Sequence, residues 1–374
     1  MGTPVRPGVH LAETEDEKRA VYHLRYDVYV EEMGRYRATA DHANRLLVEP
    51  EDETGRIFYY ATEDGEVVGT LRISWGGDGP FSRRQIEQYD LEPFLEEVSA
   101  EAISVGERGM VVRRLRGGDV LQQMGREMLR FANDRRIQLC FGACEPHLLN
   151  LYLGTGQRTY SRRNINSPEA GYLIPLVFVP EDIAYLKSIG SPNLEFLRDF
   201  GADARVPACV ARIMAGGSSV MSRRLSSSAE YWAKVYGALS EFEENRISAL
   251  DGMTEEEAQR CLGNSTIIEC GAGDRVLKKG GVARNMFVVL DGTLEVRDGG
   301  SFVNVLRPGD VFGEMAFLLE RPRSMDVYAV TDGVRILSLS ESTLRKMIEN
   351  DPAGTAHLLL NISKMLCLRL LKSA

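Results

Sequence analysis

Over residues 17 to 180 the apolar positions alternate between helical and strand spacing. EKRAVYHLRYDVYVEEMG, from Glu17, is amphipathic and predicts a helix, and IFYYATEDGEVVGTLRIS predicts a hairpin about Asp64-Gly65. ISVGERGMVV reads as a third strand. RRLRGGDVLQQMGREMLRFANDRR then reads as a long helix with Val120, Met124, Met128, Leu129 and Phe131 on its apolar face. A further strand, QLCFGACE, leads to HLLNLYLGTGQRTY and on to GYLIPLVFV.

From Ile267 the texture changes to short alternating segments cut at Gly271, Asp291-Gly292, Gly299-Gly300 and Pro308-Gly309-Asp310. That rhythm predicts an all-β barrel or jelly roll. A helical tail follows, with Leu358, Leu359, Ile362, Met365, Leu366 and Leu370 on one continuous face that must cover the barrel or a partner, so a homodimer stays open. Between the two patterns AGGSSVMSRRLSSS, Ala215 to Ser228, is small and polar, and EYWAKVYGALSEFEENRI repeats Tyr231, Val235, Leu239 and Phe242 at helical spacing. The fold class expected is α+β: a mixed sheet with helices over 1–180, a helical linker region over 181–245 and a barrel with flanking helices over 246–374.

The length, 374 residues, suits two such domains, and 44% hydrophobic with 26% charged residues is ordinary globular composition. A net charge of −9 argues against a nucleic-acid partner. The six cysteines are scattered without a C-x-x-C pair, and the five histidines show no ligand spacing, so no metal is expected. No apolar run is long enough for a signal peptide or a transmembrane segment, which reads as a soluble cytoplasmic protein.

Candidate chemistry is densest in FGEMAFLLERPRS, Phe312 to Ser324, where a carboxylate and a guanidinium bracket an apolar run. A short helix there would aim backbone N–H groups near Ala316 and Phe317 at an anion, and Arg323 would add a fork suited to phosphate oxygens. Glu314 would repel that phosphate unless it accepts a hydrogen bond from a ribose hydroxyl. A sugar phosphate satisfies both groups. FGEMAFLLERPRSMDVYA, after PGDV, resembles the cyclic-nucleotide-binding domain family, with Gly313, Glu314, Pro322, Arg323, Ser324 and Val327 in the places of its phosphate cassette. The resemblance implies that Glu314 binds the ribose 2′-hydroxyl, Arg323 the cyclic phosphate, Ser324 the phosphate or base, and the backbone of Gly313, Met315, Ala316 and Phe317 the remaining oxygens. Cyclic AMP ranks ahead of cyclic GMP as regulator.

The order of elements over the first 160 residues or so resembles the GNAT N-acyltransferase superfamily, and LRYDVYVEEMG resembles its autoinducer-synthase and N-acyl amino acid synthase branch. This implies a loop for the donor pyrophosphate, matched by Arg114-Leu-Arg116-Gly117-Gly118 but with Asp119 at the last position. Arg113, Arg114 and Arg116 would attract the phosphopantetheine of acyl carrier protein or CoA. Tyr152-Leu-Gly-Thr-Gly156 matches the motif whose tyrosine protonates the departing thiolate. Glu107 is the expected base toward the amine, through a water, and N–H groups around Met110, Val111 and Val112 the expected oxyanion donors. Arg25 is expected to orient the acceptor. The reading is a cyclic-nucleotide-regulated enzyme moving an acyl group from acyl carrier protein or CoA to an amine, that of an amino acid; a lysine acetyltransferase using acetyl-CoA and a non-catalytic sensor remain alternatives.

Overall fold

The computed structural model describes residues 6–169, 171–197, 204–215, 218–221, 229–233, 235, 249–263, 265–282, 285–319 and 321–373. The basic serine cluster at 222–228 and most of the helix read over 230–247 lie outside them. Contacts divide the chain into two compact units: residues 1–144, 151–160 and 175–216 in one, and 145–150, 161–174 and 217–374 in the other.

The first unit is built on a mixed sheet. In chain order the strands of that sheet are β1 (Gly8–Leu11), β2 (Arg56–Ala61), β3 (Val67–Trp75), β4 (Ile103–Val111), β5 (Leu139–Cys144), β6 (Arg158–Thr159), β7 (Ile165–Ser167) and β8 (Gly171–Phe178), of which β7 and residues 171–174 of β8 are counted in the second unit. They lie in the order β1-β2-β3-β4-β5-β8-β6, with β7 on the start of β8. β2 and β3 form the hairpin expected at Asp64-Gly65. β4 and β5 are parallel. The helices are α1 (Glu15–Arg25), α2 (Arg83–Tyr89), α3 (Glu92–Leu95), α4 (Val120–Asp134), α5 (Leu149–Thr155), α6 (Ile183–Ser188) and α7 (Cys209–Ala215). α2 and α3 were not visible in the hydrophobic pattern.

The amphipathic run from Glu17 is two structures. α1 starts with a capping box, in which Thr14 and Glu17 bond each other's backbone N–H, and continues as a π-helix over Tyr26–Glu32. Met33 N–H reaches back to the Val28 carbonyl at 3.0 Å. π-turns of this kind collect at functional positions. α4 lies on the sheet at Gly69, where a Cβ would stand 3.0 Å from Val120 and 3.2 Å from Met124, so the glycine permits the close approach.

In the second unit two antiparallel sheets face each other as a jelly roll, with β9 (Val220–Met221), β10 (Thr266–Cys270), β11 (Arg275–Leu277), β12 (Asn285–Asp291), β13 (Leu294–Asp298), β14 (Ser301–Leu306), β15 (Val311–Phe312), β16 (Asp326–Ala329) and β17 (Val334–Ser340). The sheets are β15-β12-β17-β10-β9 and β11-β16-β13-β14. Among the described residues the helices that flank them include α8 (Glu255–Leu262), α9 (Glu314–Leu319), α10 (Glu341–Asn350) and α11 (Pro352–Ser373). The expected tail helix is α11, and Leu358 and Ile362 pack into the core with Met365 and Leu366 against it. Leu370, read as part of that face, is 71% exposed.

Candidate functional site

In the barrel, β15 ends at Phe312 and the chain turns at Gly313, φ 77°, into the short α9. A Cβ on Gly313 would fall 2.6 Å from Arg323 Nη1, so the turn and the room for the guanidinium both require glycine. Arg323 Nη1 donates to the Gly313 carbonyl at 2.6 Å; Nη2 donates to the Asn285 carbonyl at 2.6 Å and to Asn285 Oδ1 at 2.7 Å. Its backbone is paired with a glycine loop, Arg323 N–H to Gly281 at 2.7 Å and Gly280 N–H to Arg323 at 2.8 Å.

Among the described residues every acceptor of this guanidinium is neutral. Arg323 is 5% exposed, its Nε has no partner, and it forms no ion pair among the described residues. Burial pulls its pKa down to about 10, opposed by the charges of Glu145 and Glu314. An uncompensated buried cation is unfavourable, and an anion placed against it would relieve the cost. Glu314 opens α9 and is mostly covered; its Oε1 meets Arg369 Nη1 of α11 at 3.3 Å. Ser324 and Met315 are exposed, whereas Ala316 and Phe317 are buried. Phe317 N–H donates to the Gly313 carbonyl at 3.3 Å, which corrects the expectation that it faces outward: the turn of helix consumes it. Asn285, Gly280 and Gly281, which position Arg323, were not singled out in the sequence; the Gly-Gly pair read only as a turn.

In the first unit, pairing of β4 with β5 stops at Val105 and Phe141 although both strands continue, so they splay. On its other side β4 carries a bulge against β3, with Arg108 at φ 59°. Val112 N–H donates to the Val68 carbonyl at 2.9 Å, so it is not an oxyanion donor as expected. Alternation along an antiparallel ladder then points Met110 at β3 and Val111 away from it. In agreement, the Val111 carbonyl accepts from Arg116 Nε at 2.9 Å. Of the three candidates, Val111 alone presents its N–H to the splayed side.

Glu107 sits in a buried ionic lattice. It accepts from Arg72 Nη2 at 2.8 Å, Arg84 Nη2 at 2.9 Å on both oxygens, Gln85 Nε2 at 3.0 Å and the Tyr89 hydroxyl at 3.3 Å. Burial alone would raise its pKa, but Arg72, Arg84 and Arg108 pull it below the ordinary carboxylate value. A carboxylate saturated with donors and held in its ionised form is a poor base, which corrects the role expected for it. Arg72 also reaches Asp52 at 2.9 Å and Glu49 at 3.0 Å, and Glu49 pairs with Arg108. Arg25 is fully buried, with Nη1 on both oxygens of Asp52 at 2.7 and 2.8 Å, while its Nε and Nη2 lack partners. The lattice partners lie 18 to 59 residues apart in sequence, and no local signal marks them.

The arginine loop is engaged by acids. Arg114 pairs with Glu66, and Arg116 with Glu32 at 2.6 Å, while Arg113 lines an open groove of about 470 Å³ together with Leu24, Val28, Val67 and Val112. Gly117, φ 83°, and Gly118 are exposed before α4. Asp119 gives α4 no side-chain cap; it accepts instead from Gln123 Nε2 at 2.7 Å. Tyr152 lies on α5. Burial, then Cys144 and Tyr29, raise its pKa well above the ordinary phenol value, and its hydroxyl has no hydrogen-bond partner among the described residues. Such a phenol stabilises a thiolate by donating a hydrogen bond; its proton is too tightly held for full transfer to a group of thiol acidity. Burial pushes the Cys140 thiol up to about 11, which makes it a poor nucleophile. Among the described residues no group of three or more His, Cys, Asp or Glu is placed for a metal ion, and no helix is long and apolar enough to cross a membrane.

Residues 267–351 match the family model of the cyclic nucleotide-binding domain, and the barrel belongs to that family. The chain is 31% identical over 80 residues to a cAMP-dependent protein kinase type II regulatory subunit of Drosophila melanogaster, covering 20% of this chain and 21% of that protein. Over 144 residues it is 31% identical to a cAMP-dependent protein kinase regulatory subunit of Yarrowia lipolytica, 34% of this chain and 38% of the other. It thus spans less than two fifths of the length of these relatives. Among solved structures, a cyclic nucleotide-binding domain from Methylobacillus flagellatus is similar at TM-score 0.35 and 16% identity, over 41% of this chain and 85% of that one. A CoA-dependent acyl-homoserine lactone synthase is similar at TM-score 0.38 and 20% identity, over 50% and 91%. A putative N-acetyltransferase from Lactobacillus plantarum is similar at TM-score 0.34 and 14% identity, over 47% and 99%.

Proposed function

We propose that the protein is a cyclic-nucleotide-regulated N-acyltransferase, taking an acyl group from an acyl carrier protein or CoA thioester to the amine of an amino acid. The observation that carries the regulatory half is Arg323, a buried cation whose hydrogen-bond acceptors are all neutral. The cyclic phosphate supplies the missing charge, Glu314 accepts from the ribose hydroxyl, and Ser324 stands at the exposed rim. The relatives' names favour cyclic AMP.

For the acyl half, the splay between β4 and β5 leaves room for an extended thioester arm. There the Val111 N–H can polarise the carbonyl, and the unpartnered Tyr152 hydroxyl can stabilise the thiolate that leaves. Arg113, Arg114, Arg116, Gly117 and Gly118 attract the donor phosphate, which must displace Glu66 and Glu32. With Glu107 saturated, the amine enters as its neutral form and gives its proton to water. The two unpartnered nitrogens of Arg25 suit an acceptor carboxylate once that position opens.

The same saturation of Glu107 favours a second reading, a nucleotide sensor without chemistry. The test is release of free thiol from acyl-CoA and acyl carrier protein with a panel of amino acids, with and without cyclic AMP or cyclic GMP. Turnover that Tyr152→Phe lowers supports the enzyme; nucleotide binding without any turnover leaves the sensor.

A further inference from the structure

Residues 161–174 follow the acyl-site helix in sequence yet pack with the barrel. They pack on the segment from β10 through β11, which runs into the Gly280-Gly281 loop. Asn166 Oδ1 accepts from Arg275 N–H at 3.0 Å, and Asn166 Nδ2 donates to Asp274 Oδ1 at 2.6 Å. The Pro168 carbonyl accepts from Lys278 Nζ at 2.7 Å and from Arg275 Nη2 at 3.3 Å. Asn164 Nδ2 donates to the Glu269 carbonyl at 3.0 Å and to the Tyr172 hydroxyl at 2.5 Å. That hydroxyl in turn lies 3.3 Å from Cys270 Sγ and 3.4 Å from Asp274 Oδ2. Residues 164–172 are therefore held at five positions between Glu269 and Lys278, through the Glu269 carbonyl and the side chains of Cys270, Asp274, Arg275 and Lys278.

Immediately after Lys278 and Lys279 comes the Gly280-Gly281 loop, whose backbone is paired with that of Arg323. At its other end β8 runs on through Pro175–Phe178, beside β5 and β6 in the mixed sheet. Glu145, the residue after β5, also packs with the barrel and bears on the Arg323 charge. Arg323 is thus connected by a hydrogen-bonded route to β8, which continues into the mixed sheet.

We propose that the β7–β8 hairpin is the transmission element of this protein: occupancy of the Arg323 site shifts the Gly280-Gly281 loop, which alters the grip of Arg275 and Lys278 on Asn166 and Pro168, and β8 carries the displacement into the mixed sheet. The proposal rests on the nucleotide reading given above. Its physical basis is that an anion compensates Arg323 in one arrangement of the loop better than in another, so the ligand shifts the population of both. Close-packed, hydrogen-bonded elements pass such a shift on in discrete steps.

The test uses the full chain, calorimetry with cyclic AMP and cyclic GMP, and hydrogen exchange of residues 161–178. In the wild type the bound nucleotide is expected to change exchange in 171–178 by about threefold or more, while Asn166→Ala and Lys278→Met bind within about threefold of wild type and lose that change. Thermal melts identify a variant that fails to fold, and the half-buried Lys278→Met, which removes one side-chain contact to the Pro168 carbonyl, then carries the comparison. Binding with unaltered exchange in 171–178, or variants that keep the response, overturns the proposal. If neither nucleotide binds the wild type, the nucleotide reading itself fails and the transmission with it, an outcome distinct from binding without a response.

Discussion

On the proposed reading Arg323 answers two opposed demands: burial makes it selective for a desolvated phosphate, and burial without a carboxylate among the described residues makes its charge unwelcome. Its pKa is about 10 in the folded chain, below the ordinary guanidinium value, so the unfolded chain holds that proton more tightly. The ligand-free protein therefore gains stability as pH rises above about 10, where nucleotide affinity should fall, as titration calorimetry would register. Arg323→Gln should weaken nucleotide binding by about 2 kcal/mol or more, roughly 30-fold. For Tyr152→Phe, thiol release should drop by about 10- to 100-fold with an unchanged melting temperature, since the hydroxyl has no protein partner to lose. Arg323 was legible from its cassette; the neutrality of its surroundings was not, because Asn285 lies 38 residues away.

At the scale of elements, the turn from β15 into α9 has no tolerance for a side chain. Gly313→Ala faces both φ 77° and the 2.6 Å clash with Arg323, and should cost about 1–3 kcal/mol of barrel stability and weaken the nucleotide in parallel, measurable by denaturant titration and calorimetry. In the first unit the ionic lattice joins α1, β3, α2 and β4. Burial would raise the Glu49 pKa, yet Arg108, then Arg72 and Arg25, hold it at about 2 against an ordinary 4.5. A depressed folded pKa contributes stability above pH 4.5 that is lost as pH falls toward 2. Acid unfolding of this unit followed by circular dichroism should fall in that window, and Glu49→Gln should destabilise it at neutral pH by about 3–5 kcal/mol. The strands and α4 were legible because one face of each is apolar. α2 was not, because its buried groups include Gln85, and Arg84 on the same helix serves the lattice.

For the whole molecule, a ligand that binds the folded chain alone stabilises it by about 2.7 kcal/mol at a hundredfold excess over Kd. Scanning calorimetry should therefore resolve a barrel transition that rises with cyclic AMP concentration, and Arg323→Gln should abolish the rise. Without an enzymic base, log turnover should climb with pH up to the acceptor amine's own pKa and follow that pKa when the acceptor is changed. A plateau set by one enzyme group, the same for every acceptor, would contradict the neutral-amine scheme.

The alternation of apolar residues, the glycines at tight turns and the cassette from Gly313 to Ser324 were sufficient by themselves for an α+β chain ending in a cyclic-nucleotide-type barrel. Those signals are local: periodicity, turn chemistry and charge spacing act within about ten to twenty residues. Tertiary structure alone decided that Glu107 is a saturated anion, that Arg25 is walled in, that Val111 is the N–H left facing the splay, and that residues 161–174 pack with the barrel. Each of these depends on charges and ladder partners brought together from distant stretches of chain, and the energy of a buried charge is set by those neighbours.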